Sequence, residues 1–333
     1  MAATKIEWCD HSINPIRADR ERGSGHYCEK ISSGCANCYA SKLQKRFRMP
    51  AFPGPTRDSE TVRLDGVTKT GVRAWLDESK LAEIRKRRKP TRYFVCDMTD
   101  PFGWWVKDEW LDAMFATFAL CPRHTFLLLT KRPERMRDYL IRGARERVAA
   151  LCPGGVGYGL LYGRAMTHDG GRIADLWPLW NVWLGVSAEN QKTWDDRVRI
   201  LAEIPAAMRF VSVEPMLEAI DFASGFEPCG RCVWGSPDPE TNVVECRHCE
   251  GSGVSDEMLV DWIIFGGESG QGARLCNVEW IRDGLAQCKA AGVKAFCKQI
   301  GANPIGATSA DRKGGIMQDW PLDIQVRDFP NGA

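Results

Sequence analysis

Half of the chain's fourteen cysteines fall into two groups spaced like metal ligands. Cys229, Cys232, Cys246 and Cys249 read C-x2-C-x13-C-x2-C, two paired knuckles of the kind that closes on a tetrahedral zinc. They lie in a turn-rich stretch, 226–253, with too few apolar residues for a core, so the expected zinc would supply its fold. Four thiolates also suit an auxiliary iron-sulfur cluster. His248 sits inside the second knuckle and is the weaker ligand beside its flanking cysteines. The other group, Cys28, Cys35 and Cys38, reads C-x6-C-x2-C. Three thiolates leave a coordination position open, and an open position is the mark of a chemical rather than a structural site. A fourth ligand from His26 or Cys9 would instead complete an ordinary zinc site. The remaining cysteines are scattered and are expected to be small buried hydrophobes.

No disulfide framework is expected. The stretch "MAATKIEWCDHS" lacks the apolar core of an export signal, and the cytosol keeps thiols reduced, so the expected location is cytoplasmic. No apolar run approaches the roughly 20 residues that span a bilayer. With 44% hydrophobic and 26% charged residues, composition is that of a folded globular chain. A net charge of +2 says little about partners, because a balanced total can hide a basic face.

The elements that must hold these ligands follow one scheme: a short apolar strand, a polar end, then an amphipathic helix. "RYFVCDMTD" precedes "KDEWLDAMFATFAL", in which Trp110, Leu111, Met114, Phe115 and Phe118 recur at helical spacing. "HTFLLLTKR" precedes "PERMRDYLI", with a proline suited to a first helical turn. "NVWLGVSAEN" precedes a helix with Trp194, Val198 and Leu201 on one face; "MRFVSVEP", "VDWIIFGGESG" and "VKAFCKQIG" are further strands, and "TKIEW" is a candidate first one. Near-continuous apolar strands alternating with helices mean a parallel sheet covered by helices. The expected fold is α/β, a partial (β/α) barrel over 1–225 and 254–305, with the zinc module inserted at 226–253 and a C-terminal tail at 306–333. An open doubly wound sheet is the competing architecture. The glycine-rich stretch 152–178 reads as a further insertion.

Both architectures gather ligands at the carboxyl ends of the strands. A polar ring stands there: Asp97, Thr99, Asp100, Thr130, Lys131, Arg132, Ser187, Glu189, Asn190, Glu214, Glu268, Lys298 and Gln299. Two basic runs, "SKLQKRFR" near the three cysteines and "EIRKRRKP" beside Tyr93 and Phe94, suggest a nucleic-acid partner, with cations on phosphates and aromatics stacking on bases. For either run taken alone a solvated helix face is the simpler explanation.

In order, "TKIEWCDHSINPI", "SSGCANCYA", "FVCDMTDPF", "HTFLLLTKRPERM", "NVWLGVSAENQ", "MRFVSVEP", "WIIFGGESGQGAR" and "FCKQIG" resemble a phage-associated, uncharacterised protein family related to the radical SAM superfamily. The resemblance runs from about residue 4 to the C-terminal "DRKGG…DWP…VRDFP", with 17–27 and 152–178 as insertions. It implies a 4Fe-4S cluster on Cys28, Cys35 and Cys38, S-adenosylmethionine at the open iron, and an electron donor such as flavodoxin or ferredoxin. It further implies a 5'-deoxyadenosyl radical that takes hydrogen from a substrate, here a nucleic-acid base or its modification. The alternatives are a small metabolite or peptide substrate, and a non-enzymatic zinc and nucleic-acid binding protein. On this reading Asp97, Asp100, Ser187 and Asn190 contact the cofactor, with Asp97 and Asp100 on its amino group. Lys131, Glu189, Glu214 and Lys298 are the catalytic set, the lysines together with Arg132 holding carboxylate or phosphate. The superfamily's common spacing is C-x3-C-x2-C, whereas six residues separate the first pair here, and Tyr39 follows the last cysteine instead of preceding it.

Overall fold

The structure is a computed structural model that describes residues 4, 6–19, 24–46, 52, 73–152, 177–222 and 259–330. Its elements run β1 (His11–Ile13), β2 (Ile16–Asp19), β3 (Ser24–Gly25), α1 (Tyr39–Arg46), β4 (Arg73–Leu76), α2 (Glu78–Lys86), β5 (Arg92–Val95) and α3 (Asp108–Ala119). They continue with β6 (Thr125–Thr130), α4 (Pro133–Ile141), α5 (Ala144–Ala150), β7 (Val182–Ser187), α6 (Gln191–Ala202), β8 (Met208–Val213) and β9 (Trp262–Gly266). The last are β10 (Cys276–Asn277), α7 (Val278–Ala291), β11 (Lys294–Gln299) and β12 (Pro304–Ile305).

Seven strands form one parallel sheet in the order β1-β5-β6-β7-β8-β9-β11. The order follows the chain without reversal, so there is no switch point of the kind a doubly wound sheet has. The sheet curls instead into a half-barrel, and this decides between the two expected architectures. Side chains alternate across it. Val95, Phe126, Leu128, Val186, Val211 and Phe265 point outward into the main core, where α3, α6 and α7 cover them. Phe94, Leu127, Trp183, Phe210, Trp262 and Phe296 point inward and close the floor of the curl. Each such buried ring contributes about 2 kcal/mol. Gly185 is part of this floor, because a Cβ there would stand 2.6 Å from the Phe210 ring.

One expected strand moves. "TKIEW" is not in the sheet: residues 7 and 8 form a turn and the first strand is His11–Ile13. Trp8 is drawn out of any ladder by the floor, where its ring meets Phe94 at 4.6 Å and Phe210 at 6.3 Å. Within the expected insertion 17–27, β2 and β3 pair with each other and β2 with β4, in a small antiparallel sheet beside the barrel. The C-terminal segment closes the far edge. Cys297 N donates to Val326 O at 2.7 Å and Asp328 N to Ala295 O at 2.9 Å. Phe329 packs on Trp262 and Phe296, and Trp320 and Ile324 are buried. The four-cysteine module and residues 153–176 lie outside the described residues. Among the described residues no helix is long and apolar enough to cross a membrane.

Candidate functional site

Period-two alternation carries past the aromatic floor to the carboxyl ends, where the inward positions turn polar: Lys131 after β6, Ser187 on β7, Glu214 after β8, Glu268 after β9 and Lys298 on β11. Above the floor is a cavity of about 480 Å³, within the range of small-molecule sites. Trp8, Phe94 and Leu129 form its base; Cys28, Cys35 and Cys38 all line it, as do Asp97, Asp100, Ser187, Glu214 and Lys298. The sequence-derived site is thus largely assembled in one place.

The cysteine segment crosses the mouth and is tied down next to each thiol. Beside Cys28, buried Glu29 accepts from Tyr27 Oη and Trp104 Nε1, both at 2.9 Å, and lies 3.5 Å from Arg132 Nη2. Beside Cys35, Gly34 N donates to Glu189 Oε1 at 3.0 Å. No side chain fits at residue 34, since a Cβ would stand 2.9 Å from the Glu189 carboxylate. Flanking Cys38, Asn37 Nδ2 donates to Glu268 Oε2 at 2.8 Å, and Tyr39 Oη donates to Asp97 Oδ2 at 2.9 Å. Arg274 completes this corner, with Nη2 on Glu268 at 2.6 Å and Nη1 on Ser33 O at 2.8 Å. Cys38 is the N-cap of α1, its carbonyl accepting from Lys42 N at 3.1 Å. Burial pushes the Cys38 thiol up, while the N–H groups of Ser41 and Ala40 at the start of the helix pull it down. Burial also raises Cys28, with the Asp100 charge adding to it.

Among the described residues neither expected fourth ligand is gathered with these thiols. His26 has both ring nitrogens engaged, at 3.1 Å from Arg17 Nη1 and 3.1 Å from Ile16 O, and burial followed by the Arg17 charge lowers it to about 4. Cys9 belongs to the floor, does not line the cavity, and is pushed up to about 12 by burial and Asp97. Among the described residues no three His, Cys, Asp or Glu side chains are gathered as ligands of a single ion. Three thiols that line one cavity, with no fourth ligand gathered beside them among the described residues, do not make a closed four-ligand zinc site there, whereas a cubane cluster spreads its protein ligands one to an iron.

Two of the expected contact residues stand elsewhere. Asn190 does not line the cavity: its Oδ1 accepts from Thr193 N at 2.9 Å and it caps α6. Glu189 lies beneath the cysteine segment, fully buried, with Lys131 Nζ at 3.0 Å and Arg197 Nη1 at 2.9 Å. Burial opposes its charge, but Lys131 and Arg197 outweigh that and hold the carboxyl at about 2. Asp100 lines the cavity with its oxygens occupied by Thr130 Oγ1, Arg132 Nη1, Lys131 N and Phe102 N, at 2.6 to 3.1 Å. Cys96, at a φ of 64°, makes the left-handed turn that brings Asp97 to Asp100 into the mouth.

The basic runs separate. Lys45 and Arg46 are exposed at the end of α1, the helix that Cys38 caps. The run 83–90 leads into the amino end of β5, at the opposite edge of the sheet from the cavity. Tyr93 beside it is fully buried, 5.6 Å from the Phe126 ring, so it cannot stack on a base, and Phe94 faces the cavity from its base rather than joining the basic run. Sequence reasoning missed Glu29, Gly34, Asn37, Arg274 and Lys313 as parts of the mouth; Lys313 lines the cavity from the C-terminal segment.

An uncharacterised family, described as a protein of unknown function (DUF5131), matches residues 3–320. The chain belongs to the DUF5131 family. That family's description carries no activity, and no curated protein and no solved structure matches this member. Its function therefore has to be argued from the site.

Proposed function

We infer that this protein is a radical SAM enzyme in which Cys28, Cys35 and Cys38 hold a 4Fe-4S cluster beside a bound S-adenosylmethionine. One observation carries the reading: Cys28, Cys35 and Cys38 line a single cavity at the carboxyl edge of a parallel half-barrel. When bound, the pair supplies one-electron cleavage of a sulfonium, giving a carbon radical that abstracts hydrogen. The chain's own residues bind, orient and shield. Asp97, whose carboxylate accepts from the neutral Asn14 and Tyr39 among the described residues, suits an ammonium group. Ser187 offers a hydroxyl at the cavity wall, and the apolar base keeps water from the reacting atoms. Glu214 and Lys298, paired at 2.9 Å on the cavity wall, are placed to orient a polar substrate or to hold a proton. Burial disfavours the Lys298 charge, yet Glu214 keeps its pKa above the ordinary value.

The substrate that suits the site is a nucleobase or its modification, free or in a strand that enters beside Lys45 and Arg46; a base in a duplex would have to be flipped out. A small metabolite or peptide is the second reading, favoured by the position of residues 83–90 away from the mouth. A flavodoxin- or ferredoxin-like donor would supply the electron, and Cys229, Cys232, Cys246 and Cys249 would hold a separate zinc. Metal analysis of anaerobically purified protein tests the proposal. It predicts about four irons per chain, lost in Cys35→Ala while zinc at the four-cysteine module is kept. Zinc alone at both cysteine groups would overturn it.

A further inference from the structure

On the cavity wall most cations are held in ion pairs, whereas the Asp97 carboxylate meets only the neutral Asn14 and Tyr39 among the described residues. Of the wall's four cations, Lys131 is paired with Glu189 at 3.0 Å, Arg132 with Asp100 at 2.9 Å and Lys298 with Glu214 at 2.9 Å. Lys313, the fourth, has no ion pair among the described residues.

Lys313 is exposed, but the turn that carries it is fixed by backbone contacts rather than left to solvent. Ile300 N donates to Gly314 O at 2.9 Å, tying the turn to the end of β11. Gly314 has a φ of 65°, and a Cβ there would lie 2.3 Å from Gly301 O; a Cβ on Gly267 would lie 2.4 Å from Ile300 O. Three backbone segments therefore touch where only glycine permits it. Asp311 braces the turn from inside, accepting from Gly315 N at 2.7 Å and Ser309 Oγ at 2.9 Å, and Asp319 Oδ2 accepts from Ala310 N at 2.7 Å. The acidic side chains of the turn are thus occupied with its own backbone and hydroxyl, and the Glu7 carboxylate, 3.8 Å from a Cβ placed on Gly315, makes no ion pair with Lys313 either.

We propose that Lys313 binds a phosphate group of the cavity's ligand, so that the substrate is a phosphate-bearing nucleotide unit rather than a bare base or nucleoside. This rests on the cavity being the substrate site of the enzyme inferred above. An ammonium is a compact charge on a flexible stem and suits a phosphate that arrives with variable geometry.

The test is lysine footprinting. The iron-free full chain is acetylated with acetic anhydride in the presence of each deoxynucleoside 5'-monophosphate or the matching nucleoside, and labelling is read by mass spectrometry. Lys313 should be protected about tenfold by at least one monophosphate and not by its nucleoside. Lys86, on α2, should be unaffected. By calorimetry, Lys313→Ala should weaken that monophosphate about tenfold and Lys313→Arg should retain it. Equal protection by nucleoside, protection of Lys86 instead, or no protection by any monophosphate at millimolar concentration overturns the proposal. Iron content is measured on the same preparations purified anaerobically. Iron without Lys313 protection defeats only the phosphate contact; protection without iron defeats only the radical reading.

Discussion

Replacing Gly34 with alanine tests whether the cysteine segment is held by the barrel or merely rests on it. The added Cβ would stand 2.9 Å from Glu189 Cδ and Oε1 and 3.1 Å from Lys131 Nζ. Glu189 has nowhere to move, being fully buried and fixed by Lys131 at 3.0 Å and Arg197 at 2.9 Å. The segment must therefore lift. Overpacking costs about 1–3 kcal/mol, and the weakened N–H bond to a charged acceptor adds about 1.5–3 kcal/mol. A combined change of about 3 kcal/mol shifts the docked-to-lifted equilibrium on the order of 100-fold. In reduced, iron-free protein, alkylation of buried Cys35 follows the lifted population when lifting is fast relative to labelling. Cys35 in Gly34→Ala should thus be alkylated about 100-fold faster than in the wild type, while core Cys288 and Cys297 keep their slow rates. An unchanged Cys35 rate would refute the clamp. Equal acceleration of all three cysteines would show that the segment has no separate docking equilibrium.

Other consequences concern the barrel and its charges. Gly185→Ala should destabilise the fold by about 1–3 kcal/mol in urea unfolding, because its Cβ meets the Phe210 ring. Glu214→Gln should lower the Lys298 pKa, since burial then acts unopposed by its partner; the pH dependence of Lys298 acetylation reads this, and an unchanged profile would contradict the pairing. His124 is lowered from an ordinary 6.5 to about 4, by burial first and Arg123 next. The unfolded chain then binds more protons than the folded one between those values, so stability should fall as pH drops from 6.5 towards 4, and His124→Gln should flatten that slope. Glu189 acts lower on the scale: its contribution is complete above an ordinary 4.5 and fades as pH falls towards about 2, a loss that Glu189→Gln should remove from the acid limb of the unfolding curve.

Much of the fold was legible because each core strand is an apolar run with a helical pattern after it. The same alternation that makes Phe94, Trp183 and Phe210 face inward carries Ser187 and Glu214 to the mouth. "TKIEW" misled because a short apolar stretch satisfies a strand and a floor plug equally well. Tyr93 misled for a related reason: an aromatic beside cations looks like a stacking platform until a sheet buries it. Asn190 and Glu189 are polar residues at a strand end whose partners, Thr193 in the next helical turn and Gly34 across the barrel, decide their parts. The contacts of Gly34 with Glu189 and Asn37 with Glu268 join residues 155 and 231 positions apart. No local pattern encodes such pairings. Lys313 had a faint signal in the glycine pair of "DRKGG", since adjacent glycines mark a close backbone approach.

Formation of 5'-deoxyadenosine tests the central claim most directly. Reconstituted anaerobically with iron and sulfide, then given S-adenosylmethionine and a strong reductant, the full chain is predicted to release 5'-deoxyadenosine. Cys28→Ala, Cys35→Ala and Cys38→Ala should each abolish the release, and Cys9→Ala should not. A reconstituted protein that carries the cluster yet leaves S-adenosylmethionine intact, or one whose turnover survives loss of any of the three thiols, would contradict the account.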